Sequence, residues 1–188
     1  MGGLSRAASR GRHVALIRGI NVGRAKRVAM ADLRDLVETL GYVDVSTLLN
    51  SGNILFTIPR GSGAGAAGRI ERALLARLAV SARVVVLSAA DVAVIIRENS
   101  LGAVARDPSR LLVTVLTDPA DRPQLMPLSR QSWAPEALAI GSRAVYVWCP
   151  AGIIKSPLVS AVNKVLEDRM TSRNWTTMTK IHALAEAP

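Results

Sequence analysis

The chain has 188 residues, 49% of them hydrophobic, which is enough to bury the core of one domain or of two small ones. Its one cysteine, Cys149, excludes an internal disulfide and fits a reducing compartment. No apolar run reaches the roughly 18 residues that a membrane span needs, and the start of the chain lacks the apolar centre of a secretory signal. We therefore expect a cytoplasmic globular protein with no membrane contact, preceded by a disordered tail over residues 1–12.

The formal net charge of +10 is concentrated near the start of the chain. Residues 1–27 hold seven basic side chains and no acidic ones, which leaves 17 basic against 14 acidic side chains in the rest. The body of the protein is therefore nearly balanced in charge. This distribution favours a solvated basic tail over a nucleic-acid footprint across the whole surface.

The first predicted element is a buried strand over residues 14–17, and it leads into a cationic loop. Four basic side chains follow within ten residues: Arg18, Arg24, Lys26 and Arg27. Gly19 and Gly23 allow backbone N–H groups in this loop to turn toward an anion. A phosphate or carboxylate group is the ligand that such a loop predicts.

The elements that follow predict a ferredoxin-like unit. Apolar residues spaced at i, i+3, i+4 and i+7 predict a helix over residues 30–40, and a hairpin is predicted from strands over 44–49 and 54–58. A second amphipathic helix and a strand over residues 83–87 complete the order βαββαβ. Ser88 and Asp91 have the spacing of a capping box, which predicts a further helix to about residue 99.

Beyond a connector at residues 101–110 the pattern repeats. A strand over residues 111–116, a short helix and a hairpin over residues 137–148 precede a helix that Ser156 caps. The closing strand is expected to be missing, with a final helix over residues 173–186 in its place. We therefore predict an α+β fold with two ferredoxin-like (α/β plait) subdomains: βαββαβ over residues 13–100, then an incomplete βαββα with a C-terminal helix over residues 111–188.

No side chains suggest a catalytic or metal site. His13 lies at the entrance of a strand and His182 on the last helix, without the spacing of metal ligands, and Cys149 is expected to be buried. We predict no metal ion and no cofactor, and we assign no catalytic residue. The chain has six aromatic residues, and the central strands of the first unit offer only Phe56. Any nucleic acid would therefore be held through its phosphates and not by base stacking.

Four segments together resemble a bacterial family called domain of unknown function 1697, over about residues 13–185. They are residues 18–23 (Arg-Gly-Ile-Asn-Val-Gly), 30–33 (Met-x-Asp-Leu), 51–56 (Ser-Gly-Asn-Ile-Leu-Phe) and 171–177 (Thr-x-Arg-Asn-Trp-x-Thr). The resemblance implies a cytosolic α+β protein of two plait-like subdomains. It implies no established activity, cofactor or catalytic residue.

These segments are rich in amides, hydroxyls and arginine, which either bind a polar ligand or lock loops together. The candidate ligand-binding residues are Arg18, Asn21, Arg24, Ser51, Asn53, Arg173 and Lys180. The predicted function is binding of a phosphate-bearing or other anionic ligand, nucleic acid held through its backbone among them, in a recess where Arg18, Arg173 and Lys180 converge. One alternative is a small-molecule enzyme or ligand-binding protein that acts on an anionic substrate. Another is a module that pairs through an exposed sheet edge, and the oligomeric state stays open.

Overall fold

The computed structural model describes residues 11–21, 27–59 and 63–187. Most of the predicted tail, residues 1–10, lies outside these ranges, as does Arg24, whereas Arg12 is the first residue of a strand. The strands are β1 (Arg12–Ile17), β2 (Val43–Leu48), β3 (Asn53–Thr57), β4 (Val84–Ser88), β5 (Leu111–Leu116), β6 (Ala137–Ile140), β7 (Ala144–Trp148) and β8 (Met170–Asn174). The α-helices are α1 (Met30–Thr39), α2 (Ala66–Leu78), α3 (Ala89–Arg97), α4 (Met126–Ser129), α5 (Pro157–Leu166) and α6 (Trp175–Glu186), and a 3-10 helix over Pro119–Leu125 precedes α4.

The described strands form two four-stranded antiparallel sheets. The order is β2-β3-β1-β4 in the first sheet and β6-β7-β5-β8 in the second. The first strand of each half is thus central, and the strand that closes each half lies beside it at an edge. The prediction of an α+β fold with two sheets is confirmed.

One element of that prediction is wrong, because the second half does have a closing strand. Residues 170–174 form β8, which pairs with β5, and α6 begins only at Trp175. The sequence Met-Thr-Ser-Arg-Asn lacks the apolar character that marks the other strands, so its pattern did not predict one. The Asn174 side chain then caps α6 by accepting a hydrogen bond from Thr177 N at 2.9 Å.

The two halves share one order of elements and one register. Each half runs from a central strand to an edge strand and continues directly into a helix, α3 after β4 and α6 after β8. In the first half Val14 lies between Leu55 and Leu87; in the second, Val113 lies between Tyr146 and Arg173. Arg173 therefore occupies the position that Leu87 has in the first half.

The two sheets face each other across one central core, to which α3 and α6 contribute. Its buried residues come from both sheets and both helices and include Val14, Leu16, Val113, Val115, Ile95 and Ile181. Helices α1 and α2 cover the outer face of the first sheet, and α5 with the 3-10 helix covers that of the second. Both halves contribute residues to this central core. The predicted division into two subdomains at residues 101–110 therefore describes the order of elements along the chain, and it stays a prediction.

Tyr146 gives this core a measurable response to alkaline pH. Its hydroxyl donates to Ile95 O at 2.6 Å, and burial, with the charge of Glu98, raises the pKa of Tyr146 above its usual value. The folded state therefore keeps a proton that the unfolded chain loses above about pH 10, so this contribution to stability falls as pH rises beyond that value. Urea denaturation at pH 9 and pH 11 should show a steeper loss for the wild type than for Tyr146→Phe. Equal losses would contradict the assignment.

Within the described ranges, no helix combines the length and apolar character that crossing a membrane requires.

Candidate functional site

The Arg173 side chain, from β8, forms hydrogen bonds that reach into the first half. Only 8% of the residue is exposed. Its N–H groups donate to six neutral oxygen atoms: Asn53 Oδ1 (2.5 Å), Thr171 Oγ1 (3.0 Å), Ser172 O (2.7 Å), Ile17 O (2.9 Å), Ser51 O (3.0 Å) and Gly52 O (3.4 Å). A guanidinium group has five N–H donors, and this set of acceptors uses them all.

Arg173 is buried without a carboxylate partner among the described residues. Burial lowers the pKa of Arg173 to about 10, so the side chain still carries its charge at neutral pH. Backbone and amide dipoles compensate that charge in place of a counter-ion. Arg173 therefore joins the two halves through its hydrogen bonds, and none of its N–H donors is left for a ligand.

Asn53 and Ser51 belong to the same junction. Asn53 is fully buried, and its amide nitrogen donates to Leu48 O at 2.9 Å and to Ser51 Oγ at 3.0 Å while its oxygen accepts from Arg173. These bonds fix the turn between β2 and β3 against the end of β1. Of the two functions proposed for the family segments, binding a ligand and locking loops together, the contacts of these residues support the second.

Asn21 closes the loop that follows β1. Its side chain donates to Val28 O and Asn50 O, both at 2.9 Å, and accepts from Val28 N at 2.8 Å. Its φ angle of 56° is in the left-handed region, which asparagine tolerates better than most residues. The Asn21 amide therefore ties together the two ends of the loop whose residues 22–26 lie outside the described chain.

A cleft of about 650 Å³ lies at the carboxyl end of β1. Its lining includes the charged residues Arg18, Glu71, Arg72, Arg83 and Asp168 and the apolar Leu75. Arg18 follows β1, Arg83 precedes the antiparallel neighbour β4, and the three residues from α2 form one wall. Asp168, between α5 and β8, brings the second half of the chain to the cleft.

The charges of this cleft partly neutralise one another. Arg83 Nε lies 3.1 Å from Asp168 Oδ2, and Arg83 Nη1 lies 4.0 Å from Glu71 Oε2. The hydrogen bond from Arg83 lowers the pKa of Asp168 below its usual value, and the charge of Arg18 adds to the effect. With three arginines and two carboxylates, the lining has a formal charge of +1.

Arg83 forms ion pairs in the cleft, whereas no ion pair of Arg18 or Arg72 is seen among the described residues. Arg18 is half-buried, and its Nη1 donates to Glu167 O at 2.6 Å, which leaves its other N–H groups available on the cleft side. Arg72 is exposed on α2. A ligand entering the cleft would therefore meet two guanidinium groups that form no ion pair with a described carboxylate.

Lys180, in contrast, is an exposed residue of α6 and does not line this cleft. Of the three cations predicted to converge, only Arg18 lines it, because Arg173 is enclosed in the junction.

A smaller cleft of about 400 Å³ lies at the start of α1, lined in part by Asn21, Arg27 and Asn50.

His13 and Cys149 do not line the cleft. His13 Nδ1 is 2.7 Å from Gly11 O, and its ring stacks on Phe56. Cys149 is buried, and burial raises the pKa of its thiol. Phe56 is fully buried, so it offers no surface for a base to stack on. The described residues contain no group of three or more acidic, histidine or cysteine side chains placed to hold a metal ion.

Sequence reasoning missed Arg72, Arg83, Glu71 and Asp168. For Arg83 a signal was available: it is the first residue of the strand predicted over residues 83–87, and an antiparallel pairing with the first strand places it beside Arg18. For Asp168 no such signal exists, because it reaches the cleft through the packing of one half on the other.

Comparison with known proteins gives a family and a structural relative. The family model described as Protein of unknown function (DUF1697) matches residues 11–146, which confirms the resemblance seen in the sequence. A solved structure, that of the conserved bacterial protein SP0830 from Streptococcus pneumoniae, is 27% identical, with a TM-score of 0.77 over 94% of this chain and 99% of that one. No curated protein matches the chain significantly.

Proposed function

Because the chain belongs to the DUF1697 family, whose function is unknown, we propose a function from the geometry of its cleft: it binds a small phosphate-bearing or other anionic ligand through Arg18, Arg72 and Arg83. The observation that carries this proposal is that three guanidinium groups from separate parts of the first half border one recess. Arginine presents its donors in a planar fork that matches carboxylate and phosphate oxygens.

The size of the cleft favours a small molecule. Its volume of about 650 Å³ is within the range of roughly 300–1,000 Å³ that is common for small-ligand sites. Leu75, of which 58% is exposed, adds an apolar surface beside the arginines. A ligand that combines an anionic group with an apolar portion would use both.

Nucleic acid held through its backbone is the second candidate, and it rests on the basic loop that follows β1. Two features argue for the small ligand instead. Helices cover both faces of the first sheet, so no open sheet surface is available for bases. The lining of the cleft has a formal charge of only +1, whereas a protein that tracks a phosphate backbone presents a strongly positive groove.

An enzymatic reaction on the same ligand would depend on electrostatic stabilisation by these arginines. The described lining of the cleft contains no histidine and no cysteine that could act as base or nucleophile.

Titration of the protein with inorganic phosphate at low ionic strength, followed by calorimetry or by NMR shifts, tests the proposal. Substitution of Arg18, Arg72 or Arg83 by alanine is expected to weaken binding about three- to tenfold each, since each removes charge-assisted hydrogen bonds in a partly solvated site. Arg122→Ala removes an exposed arginine from the 3-10 helix of the second half and is the matched control.

Unchanged phosphate affinity in all three cleft variants, or an equal loss in Arg122→Ala, would reject the cleft as the site. Parallel titrations with single- and double-stranded oligonucleotides separate the two candidates. Backbone binding predicts an affinity that falls steeply with salt and a loss when Arg24, Lys26 and Arg27 are replaced by alanine; the cleft proposal predicts weak oligonucleotide binding that Arg72→Ala and Arg83→Ala do not change.

A further inference from the structure

Because the two halves repeat one order of elements, the residues of the cleft can be compared with those at the same position of the second half. Arg18 N donates to Arg83 O, and at the same position of the second half Thr117 N donates to Arg169 O, both at 2.9 Å. Arg83 directly precedes β4 as Arg169 directly precedes β8. These two arginines are thus equivalent residues at the equivalent ends of the two sheets.

Arg169 is held firmly by its own half. It forms an ion pair with Asp121, whose side chain is 14% exposed, and its Nη2 donates to Gln124 Oε1 at 3.2 Å and to Val165 O at 2.7 Å. Asp121 and Gln124 belong to the 3-10 helix that follows β5. The second half therefore surrounds its arginine with acceptors at the place where the first half has an open cleft.

Arg83 is held loosely in comparison. Its side chain is 58% exposed, and its short contact, at 3.1 Å, is with Asp168, whose side chain is 56% exposed. The carboxylate of its own half, that of Glu71, is 4.0 Å away and also accepts a hydrogen bond from Val84 N. An ion pair this exposed is weak, so an incoming anion can displace it.

The backbone, and not the ion pair, fixes the position of Asp168. The preceding residue, Glu167, has a φ angle of 53°, and its N–H donates to Asn163 O at 2.8 Å, while Arg169 N donates to Leu166 O at 2.9 Å. The Glu167 carbonyl in turn accepts from Arg18. This tight turn presents the Asp168 carboxylate to Arg83 at the mouth of the cleft.

We propose that Asp168 is an internal competitor of the ligand: its carboxylate occupies the edge of the Arg83 guanidinium that an incoming phosphate takes. The inference rests on the proposed function and adds to it the residue that sets affinity. The second half of the chain thereby limits binding at a cleft that the first half builds. A phosphate gains over the carboxylate because it offers a third oxygen and more than one negative charge at pH 7.

The experiment compares phosphate affinity in the wild type, Asp168→Asn and Asp107→Asn. Asp107 is a matched control because its carboxylate also pairs with an exposed arginine, Arg110, at 3.2 Å, and it does not line the cleft. Asp168→Asn is expected to tighten phosphate binding roughly two- to fivefold, the size of an exposed ion pair, and Asp107→Asn to leave it unchanged. In an Arg83→Ala background the gain from Asp168→Asn should disappear.

Phosphate binding that Asp168→Asn leaves unchanged or weakens would overturn the inference while the proposed function stands. A gain that persists without Arg83, or that Asp107→Asn reproduces, would overturn it as well, because the effect would then be one of net charge. No phosphate binding in any variant would reject the proposed function and this inference together. Phosphate binding that is detected for Asp168→Asn but not for the wild type or Asp107→Asn would support both the proposed function and this inference.

Discussion

Replacement of Arg173 with alanine is expected to lower the free energy of unfolding by about 3 kcal/mol. The substitution leaves the oxygen atoms of Ile17, Ser51 and Asn53 without their donor in a site that is closed to solvent. Each buried oxygen that loses its partner costs on the order of 1–3 kcal/mol, and the relief of burying a charge offsets part of the sum. Urea denaturation followed by the fluorescence of the tryptophans gives the value directly.

Two further variants sharpen this test. Arg173→Lys keeps the charge but presents three donors at one point instead of five in a fork, so it should recover less than half of the loss. Arg122→Ala, the exposed control, should change stability by no more than about 0.5 kcal/mol. A loss of less than about 1 kcal/mol for Arg173→Ala would show that water replaces the side chain at little cost and that the junction does not hold the halves together.

Gly52→Ala is expected to destabilise the protein by about 2–4 kcal/mol through two effects. Gly52 has a φ of 72°, where a side chain strains the backbone. An added Cβ would also lie 2.8 Å from Ile20 Cδ1 and 3.0 Å from Ile17 Cβ, closer than packed carbon atoms approach each other. Since Gly52 O accepts from Ile17 N, the turn cannot move away without weakening the end of β1.

Gly41→Ala separates these two effects. Gly41 has a φ of 83°, and a Cβ built there meets no atom within 4 Å, so only the backbone strain applies. We expect a loss of about 1 kcal/mol for Gly41→Ala, and the excess in Gly52→Ala measures the clash. Equal losses in thermal or urea denaturation would mean that Ile20 moves aside freely and that the turn is not packed tightly against β1.

Much of the first half was predictable because its signals are local. Apolar periodicity, the turn at residues 50–53 and the capping box at Ser88 all act within a few residues of where they are read. The strand β8 was not predictable in this way. Its polar residue Arg173 is stable in a buried strand because it donates hydrogen bonds to Asn53 and Ile17, more than 100 residues earlier in the chain. A local pattern of apolar residues cannot reveal contacts at that separation.

The candidate site shows the same contrast between what local sequence signals predict and what depends on contacts between distant residues. Two of the four family segments meet, because residues 51–53 and 171–173 surround the Arg173 guanidinium together with Ile17, which directly precedes a third segment. Their polar groups bond to one another and not to a ligand-binding recess. Arg18, predicted to bind the ligand, follows β1 and lines the cleft, and its role there stays a prediction. The remaining lining comes from α2 and from the turn before β8, whose approach depends on how the halves pack.

The shared core also determines the order in which the protein can be completed during synthesis. Helix α6 follows all eight of the described strands, yet Met178 and Ile181 are fully buried in the core that both sheets share. Until that helix is made, the inner face of the first sheet has α3 against it but lacks the cover that α6 provides. We therefore expect a chain that lacks α6 to expose part of this apolar face, and exposed apolar surface makes incompletely folded chains prone to aggregate.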